Sequence, residues 1–270
     1  MIYFASTYIL YRVNVKEEGI LNKVLRQYIA FLCVFFVAGC ASSSQTEATA
    51  LENYNRTMFN INNQLEKVII RPVAKGYRAI TNEYMRQRLT NFFNNISEPV
   101  SAANHLLQGE WHNSAQNISR FMINTTIGGL GLYDVAAKAG LEQKPTGFDE
   151  TLATWCVPDG PYIILPVLGP STPRATTGWV ADGYSSPAYW VANESNGEDA
   201  MLVYYGAAGL KYLNKYAENL KLIEGLEESS IDYYVAVKTM YLQNRGKIKS
   251  CGKIVAQSTP DYDFDMDDED

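Results

Sequence analysis

The chain has 270 residues and a formal charge of -6 at pH 7. Seven acidic residues fall in positions 261–270, which contain no lysine or arginine, so the rest of the chain carries 23 basic and 22 acidic residues. This balance excludes the electrostatic footprint of a nucleic-acid-binding protein. The length suffices for one domain, or two small ones, with a sizeable core.

The N-terminal region has the layout of an export signal. Residues 28–38 form an eleven-residue apolar run after Lys23 and Arg26, and Gly39 and Cys40 close it. Such a run is too short for a transmembrane helix and is typical of a secretory signal. Val37-Ala38-Gly39-Cys40 resembles a bacterial lipobox, whose cysteine receives acyl chains. We therefore predict a signal peptide over 1–39 and a lipid anchor at Cys40.

The residues around this signal refine the prediction. Ala41 follows Cys40, where an aspartate would resemble an inner-membrane retention mark, so we expect the outer membrane. Residues 40–50 are small and polar, as suits a tether. Since signals usually have about 15–30 residues, we expect residues 1–20 to reflect a start assigned too far upstream. The tail 251–270 is predicted to be acidic and disordered. The alternative is a calcium loop at 261–270, but that stretch lacks the glycine and the spaced glutamate of an EF-hand.

Helical periodicity dominates residues 51–250, the predicted domain. The predicted helices are 52–70, 83–95, 97–107, 111–126, 198–224 and 230–244. Pro72 is expected to break or kink the first of them, and Ser97-Glu98-Pro99 to open the third. No segment alternates with period two for long, so we predict an all-α fold.

Three glycines follow the helix 111–126, at Gly128, Gly129 and Gly131. A phosphate cradle would require a preceding strand and a completed glycine motif, and neither is present. We predict a hinge or close packing there.

Prolines and glycines interrupt an apolar stretch from Phe148 to Gly183. Pro166 divides Ile163–Leu165 from Val167-Leu168, where a central strand would need its N–H. We therefore expect a kinked turn that lines a passage or faces a membrane, with a buried loop as the alternative. The surrounding block, 121–192, is poor in charge, and all four tryptophans lie in it or just before it. Tryptophan favours boundaries between apolar and wet surroundings.

A search for catalytic or metal-binding chemistry finds little. His105 and His112 lack the spacing and further ligands of a zinc site, and no nucleophile elbow is present. Asp149 and Glu150 are predicted to cap a helix that starts at Thr151. Cys156 and Cys251 would share an oxidising compartment, but their spacing alone cannot decide whether they pair. We predict no enzyme activity and no cofactor.

Three long blocks carry a family resemblance. They are FNNISEPVSAANHLLQGEW at 93–111, RFMINTTIGGLGLYDVA at 120–136 and FDETLATWCVPDGPYIILPVLGPSTPR at 148–174. Together with the following Ala181-Asp182-Gly183, they resemble the MlaA lipoproteins, also called VacJ, over about Asn53 to Arg245. The resemblance implies a ring of short helices in one leaflet of the outer membrane, with a central polar channel.

The same resemblance implies a function in lipid transport. Members remove misplaced phospholipids from the outer leaflet, associate with trimeric porins and pass the lipid to the soluble carrier MlaC. An inner-membrane ABC-type complex completes that path. Phospholipid is then a cargo, and no catalytic residue is required. The alternatives are a lipid-hydrolysing enzyme and a porin-associated scaffold that moves no lipid.

Three groups of residues follow from the resemblance as candidates, besides the anchor. The turn Pro158-Asp159-Gly160-Pro161-Tyr162 falls in the segment near the channel and is expected to gate it. Phe59 and Asn60 match a segment expected to close the ring. Arg56 is a candidate phosphate contact, with an ordinary surface arginine as the alternative.

Overall fold

Helices dominate the structure, a computed structural model that describes residues 45–195, 198–251 and 253–254. The helices are α1 Gln45–Leu65, α2 Arg71–Ile80, α3 Glu83–Leu107, α4 Trp111–Thr126, α5 Val135–Lys138, α6 Phe148–Thr154, α7 Pro173–Ser185, α8 Pro187–Glu194, α9 Glu198–Ser229 and α10 Tyr233–Arg245. Two antiparallel hairpins pair β1 Ile163–Leu165 with β2 Gly169–Ser171 and β3 Lys249–Ser250 with β4 Lys253–Ile254. The mainly helical class is confirmed, and α4 has the predicted bounds.

The chain divides into two units, residues 1–50 and 51–270. The signal 1–39 and Cys40 lie outside the described residues. Part of the predicted tether is helical, because α1 begins at Gln45. At the other end, Cys251 of the predicted disordered tail is disulfide-bonded to Cys156, with Cα atoms 4.7 Å apart. Cys251 also donates its N–H to the carbonyl of Ala153 (3.1 Å). The predicted boundary at residue 250 is therefore too early.

Pro72 does not break the first helix. A π-helical turn, Glu66–Ile70, joins α1 to α2, and Pro72 lies in the first turn of α2. The wider turn accommodates proline, which needs no hydrogen-bond partner for its nitrogen at a helix start. Arg71 fixes the junction by bonding Glu66 (2.9 Å) and Glu227 (2.7 Å) of α9.

Pro99 lies inside α3 and does not start a new helix. The helix is capped by Asn82, whose side chain accepts from the N–H of Met85 (2.8 Å). Ser97, predicted as a cap, instead donates its hydroxyl to the carbonyl of Phe93 (2.9 Å). The helix α3 packs along α4. Such tertiary contacts can keep a helix intact past a proline, where the local preference is unfavourable.

The predicted kinked turn is a β-hairpin. Ile163 pairs with Ser171 and Leu165 with Gly169, so Pro166 lies in the connecting turn and removes no ladder hydrogen bond. Ile164 is completely buried, while Val167 and Leu168 at the tip are exposed. The hairpin thus combines a buried anchor with an exposed apolar tip.

The interior is unusually polar. The apolar clusters are small, and the larger fully buried side chains include Arg120, Asn55, Asn117 and Asn214, each no more than 2 % exposed. Large apolar residues instead face outward: Trp111, Ile127 and Leu202 are each more than 70 % exposed. Buried polar residues are the exception in soluble domains. In this unit they are common, so polar contacts hold much of it together.

None of the described helices is both long and apolar enough to cross a bilayer.

Candidate functional site

A polar cavity of about 560 Å³ lies between α3, α9, the start of α6 and residues 143–146. All its lining residues except Phe93 and Pro145 have polar or charged side chains. The volume falls in the range of pockets that hold small molecules, roughly 300–1,000 Å³, but the lining is far more polar than is usual for them. The cavity therefore suits a charged or zwitterionic group.

Two helices supply most of the lining at helical spacing. Residues 90, 94, 97, 98 and 101 of α3 and residues 211, 214, 215, 218 and 219 of α9 recur every three or four positions. Such residues share one face of a helix. Asn214 joins the two faces, because its amide donates to the hydroxyl of Thr90 (2.7 Å) and accepts from Tyr77 (2.7 Å).

The acidic groups at the cavity have partners inside the protein. Glu98 is 2 % exposed and accepts from Nε of Arg120 (2.8 Å). Burial raises the pKa of Glu98, against the opposing effect of Arg120. Burial likewise raises the pKa of Glu150, whose carboxylate accepts from the N–H of Gly147 (3.0 Å).

The basic groups at the cavity are less engaged. Lys211 opens to the cavity, and its Nζ donates to the hydroxyl of Ser97 (3.0 Å). Displacement of water by the surrounding protein lowers the pKa of Lys211, and the neighbouring charge of Lys215 lowers it further. Two cations on one face of α9 give the cavity a place for an anionic group.

The predicted gating turn is tied to its surroundings through Asp159. Its carboxylate accepts from the hydroxyl of Thr172 (2.9 Å), pairs with Arg174 (3.4 Å) and bonds Nε of Arg245 (3.0 Å). Arg174 also donates to the carbonyl of Val157 (2.8 Å), so both sides of Pro158 are held.

Asp149 completes this charge cluster. It does not cap a helix, so the prediction that it would is wrong. The helix α6 begins at Phe148, and Glu150 alone provides the capping contact. Asp149 instead pairs with Arg174 (2.9 Å) and Arg245, which come from α7 and α10. The partners lie far apart in the chain, so no local pattern could have indicated the cluster.

Gly160 of the turn has a conformation that favours glycine. Its φ is +78°, and a Cβ there would lie 3.0 Å from the ring of Pro173. Tyr162, the last residue of the turn, is buried against Ile164 and Tyr234. Asp159 and Tyr162 therefore anchor the turn, while Pro158, Gly160 and Pro161 are exposed.

The N-terminal candidates lie beside this turn. Phe59 meets the rings of Tyr233 and Tyr234 edge-on at 5.3 and 5.5 Å, whereas Asn60 is exposed. Arg56 lies over the ring of Tyr234 and pairs with Asp232 (2.9 Å) as well as Glu52 of its own helix. Arg56 is thus engaged by carboxylates, and its contact with phosphate stays a prediction.

Two asparagines that the sequence analysis missed fix α1 to the hairpin. Asn55 donates to the carbonyl of Tyr162 (2.9 Å) and accepts from the N–H of Ile164 (2.8 Å). Asn62, seven positions on, repeats this with the backbone of Leu165 (2.9 Å) and Val167 (2.8 Å). An asparagine-rich helix was the available signal, since asparagine disfavours helix interiors.

The predicted hinge glycines form a tight turn after α4. A Cβ on Gly128 would lie 2.3 Å from the carbonyl oxygen of Tyr133, and one on Gly131 would lie 2.5 Å from Cβ of Asn95. Both positions are closely packed, and close packing was one of the two predicted alternatives. Motion about this turn stays a prediction.

The two histidines provide no metal site within the described ranges, where no suitable group of ligands occurs. His105 is buried, and its ring nitrogens contact Glu110 (2.9 Å) and the carbonyl of Lys144 (3.1 Å). These contacts give His105 a structural role.

Comparison with known proteins places these features in a class. A sequence model of the MlaA lipoprotein family matches residues 48–247. The intermembrane phospholipid transport system lipoprotein MlaA of Escherichia coli is 33 % identical over 241 residues, which cover 86 % of this chain and 92 % of that protein. An uncharacterized protein of Rickettsia felis is 34 % identical over 190 residues, covering 70 % and 72 % respectively.

A solved structure shares the fold. It comes from work on the maintenance of bacterial outer-membrane lipid asymmetry, and it is 33 % identical with a TM-score of 0.61. The match covers 72 % of this chain and 95 % of the solved one. The chain is therefore a mainly helical protein of a lipoprotein family, and the E. coli relative is named as a component of a transport system. More narrowly, it belongs to the MlaA family.

Proposed function

We propose that this chain removes mislocalised phospholipids from the outer leaflet of the outer membrane and passes them to the periplasmic carrier MlaC. The observation that carries the proposal is the polar cavity between α3 and α9, in a domain that exposes many large apolar side chains. The E. coli relative is named as part of an intermembrane phospholipid transport system, which supports this function.

The cavity gives a charged headgroup a route that a bilayer lacks. Moving an unpaired charge through hydrocarbon is costly, and polar walls reduce this cost. Lys211 and Lys215 attract the phosphate, while Glu218 offers a carboxylate to an amine. The acyl chains stay outside the cavity in apolar surroundings. No bond is broken, so the passage needs neither a catalytic residue nor a cofactor.

The apolar surface seats the domain in the periplasmic leaflet. All four tryptophans are at least half exposed: Trp111 72 %, Trp155 50 %, Trp179 62 % and Trp190 52 %. Exposed tryptophan is favoured at the headgroup level of a membrane. The helices form a ring around the channel, the lipid on Cys40 holds the domain in place, and a trimeric porin binds at its side. The inner-membrane ABC-type complex receives the lipid from MlaC.

The turn 158–162 gates the passage in this proposal. The contacts of Asp159 with Arg174 and Arg245 hold it in the observed position, and Phe59 of α1 supports the neighbouring aromatic cluster. The closure of the ring through Phe59 and Asn60 and a hinge at Gly128, Gly129 and Gly131 would each affect the same passage.

The test measures phospholipid exposed on intact cells with a membrane-impermeant label. Cells without the protein, and cells with Cys40→Ala, should show several-fold more label than wild type. Lys211→Glu should do the same, because it replaces one of the two cations at the cavity with an anion. Lys221→Glu makes the same charge change at an exposed position of α9 that does not line the cavity, and it should match wild type.

The scaffold alternative makes a different prediction for the same strains. A porin-associated scaffold would keep its porin on purification, and its loss would leave surface phospholipid unchanged. Normal labelling in the Lys211→Glu strain, with wild-type protein and porin levels, would contradict passage through the cavity. Fatty acid released from phospholipid by the purified protein would favour the lipid-hydrolysing enzyme.

A further inference from the structure

Arg88 of α3 lies between two tyrosine rings. Its guanidinium carbon is 4.8 Å from the ring centre of Tyr84 and 4.9 Å from that of Tyr133. The two hydroxyls of these tyrosines are 3.0 Å apart. Tyr84 comes from the same helix and Tyr133 from the turn after α4, so two segments hold one cation between them.

The glycine-rich turn sets the position of Tyr133. Gly131 packs against the side chain of Asn95, too closely for a Cβ, and the amide of Asn91 donates to the carbonyl of Leu132 (3.2 Å). The same face of α3 that carries Arg88 therefore fixes the turn. This arrangement gives Gly131 a structural role that the cavity does not explain.

Arg88 has no countercharge among the described residues. Its Nε is buried without a hydrogen-bond partner, and Arg88 forms no ion pair in the part of the chain that the structure describes. By contrast, several other arginines pair with carboxylates, namely Arg56, Arg71, Arg120, Arg174 and Arg245. Because both tyrosine rings contact the Arg88 guanidinium and its Nε is buried, a ligand would approach the edge that bears Nη1 and Nη2. That edge matches two oxygens of a phosphate.

The surroundings of Arg88 favour a lipid over a dissolved anion. Tyr84 and Tyr133 are 56 % and 46 % exposed, and Met85, Leu130 and Leu132 beside them are also exposed. A cation among exposed tyrosines and apolar side chains is typical of a surface that enters the headgroup region. Apolar neighbours would add nothing to the binding of free phosphate.

This site is separate from the cavity. Thr90, which lines the cavity, follows Arg88 by two positions, so the two side chains leave α3 about 200° apart. We propose that Arg88, held between Tyr84 and Tyr133, binds the phosphate of an anionic phospholipid at the membrane surface. Such a site would fix the orientation of the domain at the membrane. The proposal depends on the proposed function only in that the domain must contact a membrane.

The test is flotation of the mature chain with vesicles, using Cys40→Ser to remove binding through acyl chains. Vesicles contain phosphatidylcholine alone or an equal mixture with phosphatidylglycerol. Arg88→Gln should reduce binding to the mixed vesicles several-fold, and Arg88→Lys, which keeps the charge but loses the planar fork, should reduce it in part. Lys221→Gln removes one exposed charge elsewhere and should bind as wild type does. Circular dichroism checks that each variant is folded.

Two results would overturn the proposal. Equal losses in Arg88→Gln and Lys221→Gln would mean that total charge, and no defined site, governs binding. Release of wild type by sodium phosphate, but not by sodium chloride at equal ionic strength, would assign the site to free phosphate. Since flotation involves no transport, its outcome is independent of the cell-labelling test of the cavity.

Discussion

Asn55 and Asn62 of α1 hydrogen-bond to backbone groups of the hairpin segment that would otherwise lack partners. The amides of Asn55 and Asn62 each donate to one backbone carbonyl and accept from one N–H of the hairpin segment. Asn55 is 2 % exposed, so water cannot replace it. A buried amide with both functions satisfied specifies one register between a helix and a strand, which apolar packing alone does not do.

Asn55→Ala should destabilise the domain because it leaves the carbonyl of Tyr162 and the N–H of Ile164 buried and unpaired. Each unsatisfied group costs about 1–3 kcal/mol, so we expect a loss of about 2 kcal/mol or more. In a domain of this size, that corresponds to a fall in Tm of at least about 4 °C. Thermal unfolding followed by circular dichroism measures it.

Asn60→Ala is the matched control, since Asn60 lies on the same helix with an exposed side chain. Its effect should stay within about 0.5 kcal/mol, as is usual for surface changes. Equal Tm values for the two variants would contradict the role given to Asn55.

The charge cluster acts between elements, since each member comes from a different one. Asp149 lies on α6, Asp159 on the turn, Arg174 on α7 and Arg245 on α10. Arg174 and Arg245 have side chains only 4 % and 8 % exposed. Because buried cations need their carboxylates, loss of one partner leaves a charge uncompensated.

Asp149→Asn should therefore lower the free energy of unfolding by about 3–5 kcal/mol at pH 7. Burial disfavours the ionised form of Asp149, but hydrogen bonds from Arg245 and Arg174 outweigh it and hold its pKa below 3.8. A carboxyl group whose pKa is lowered on folding stabilises the fold at pH values above 3.8. This contribution is lost as the pH falls through the folded-state pKa. The deficit of the variant should shrink in that acidic range.

Tm measured for wild type and Asp149→Asn at pH 7 and below pH 3.8 tests this pH dependence. Glu98, Glu150 and Asp182, whose pKa values are raised by burial, are present in both proteins and affect both alike. Glu142→Gln, at an exposed carboxyl, should differ little from wild type at either pH. A deficit of Asp149→Asn that is constant with pH would contradict the argument.

Element boundaries were predictable where one local signal dominated. Trp111–Thr126 has helical spacing between clear start and stop signals, and the structure has the same bounds. Sequence reasoning was wrong at Pro99, which lies inside α3, and at Pro72 it missed the π-helical turn that carries the helical backbone on into α2. It also missed the hairpin, because a strand of only three residues is too short to show a period of two.

At the scale of the molecule, the family and the mainly helical class could be predicted, and the cavity could not. Its lining comes from Thr90 to Asn219, and each helix face contributes ordinary polar residues that alone indicate only solvent contact. The charge cluster is similar, since Asp149 and Arg245 are 96 positions apart. Pairings over such distances depend on the completed fold.

The Cys156–Cys251 disulfide is the covalent link on this scale, because it spans 95 positions. A disulfide typically contributes about 2–4 kcal/mol, and the contribution rises with the length of the loop that it closes. Reductant should lower the Tm of wild type accordingly, and Cys156→Ser/Cys251→Ser should melt at the reduced temperature with or without reductant. Two free thiols in the denatured, unreduced mature chain would contradict the link.

The asparagine contacts of α1 also impose an order of events on the growing chain. The backbone partners of Asn55 and Asn62 lie more than a hundred positions later, at separations of 107 and 103. The amides of α1 therefore find these acceptors only after about a hundred further residues have been made, and contacts so distant in sequence form slowly.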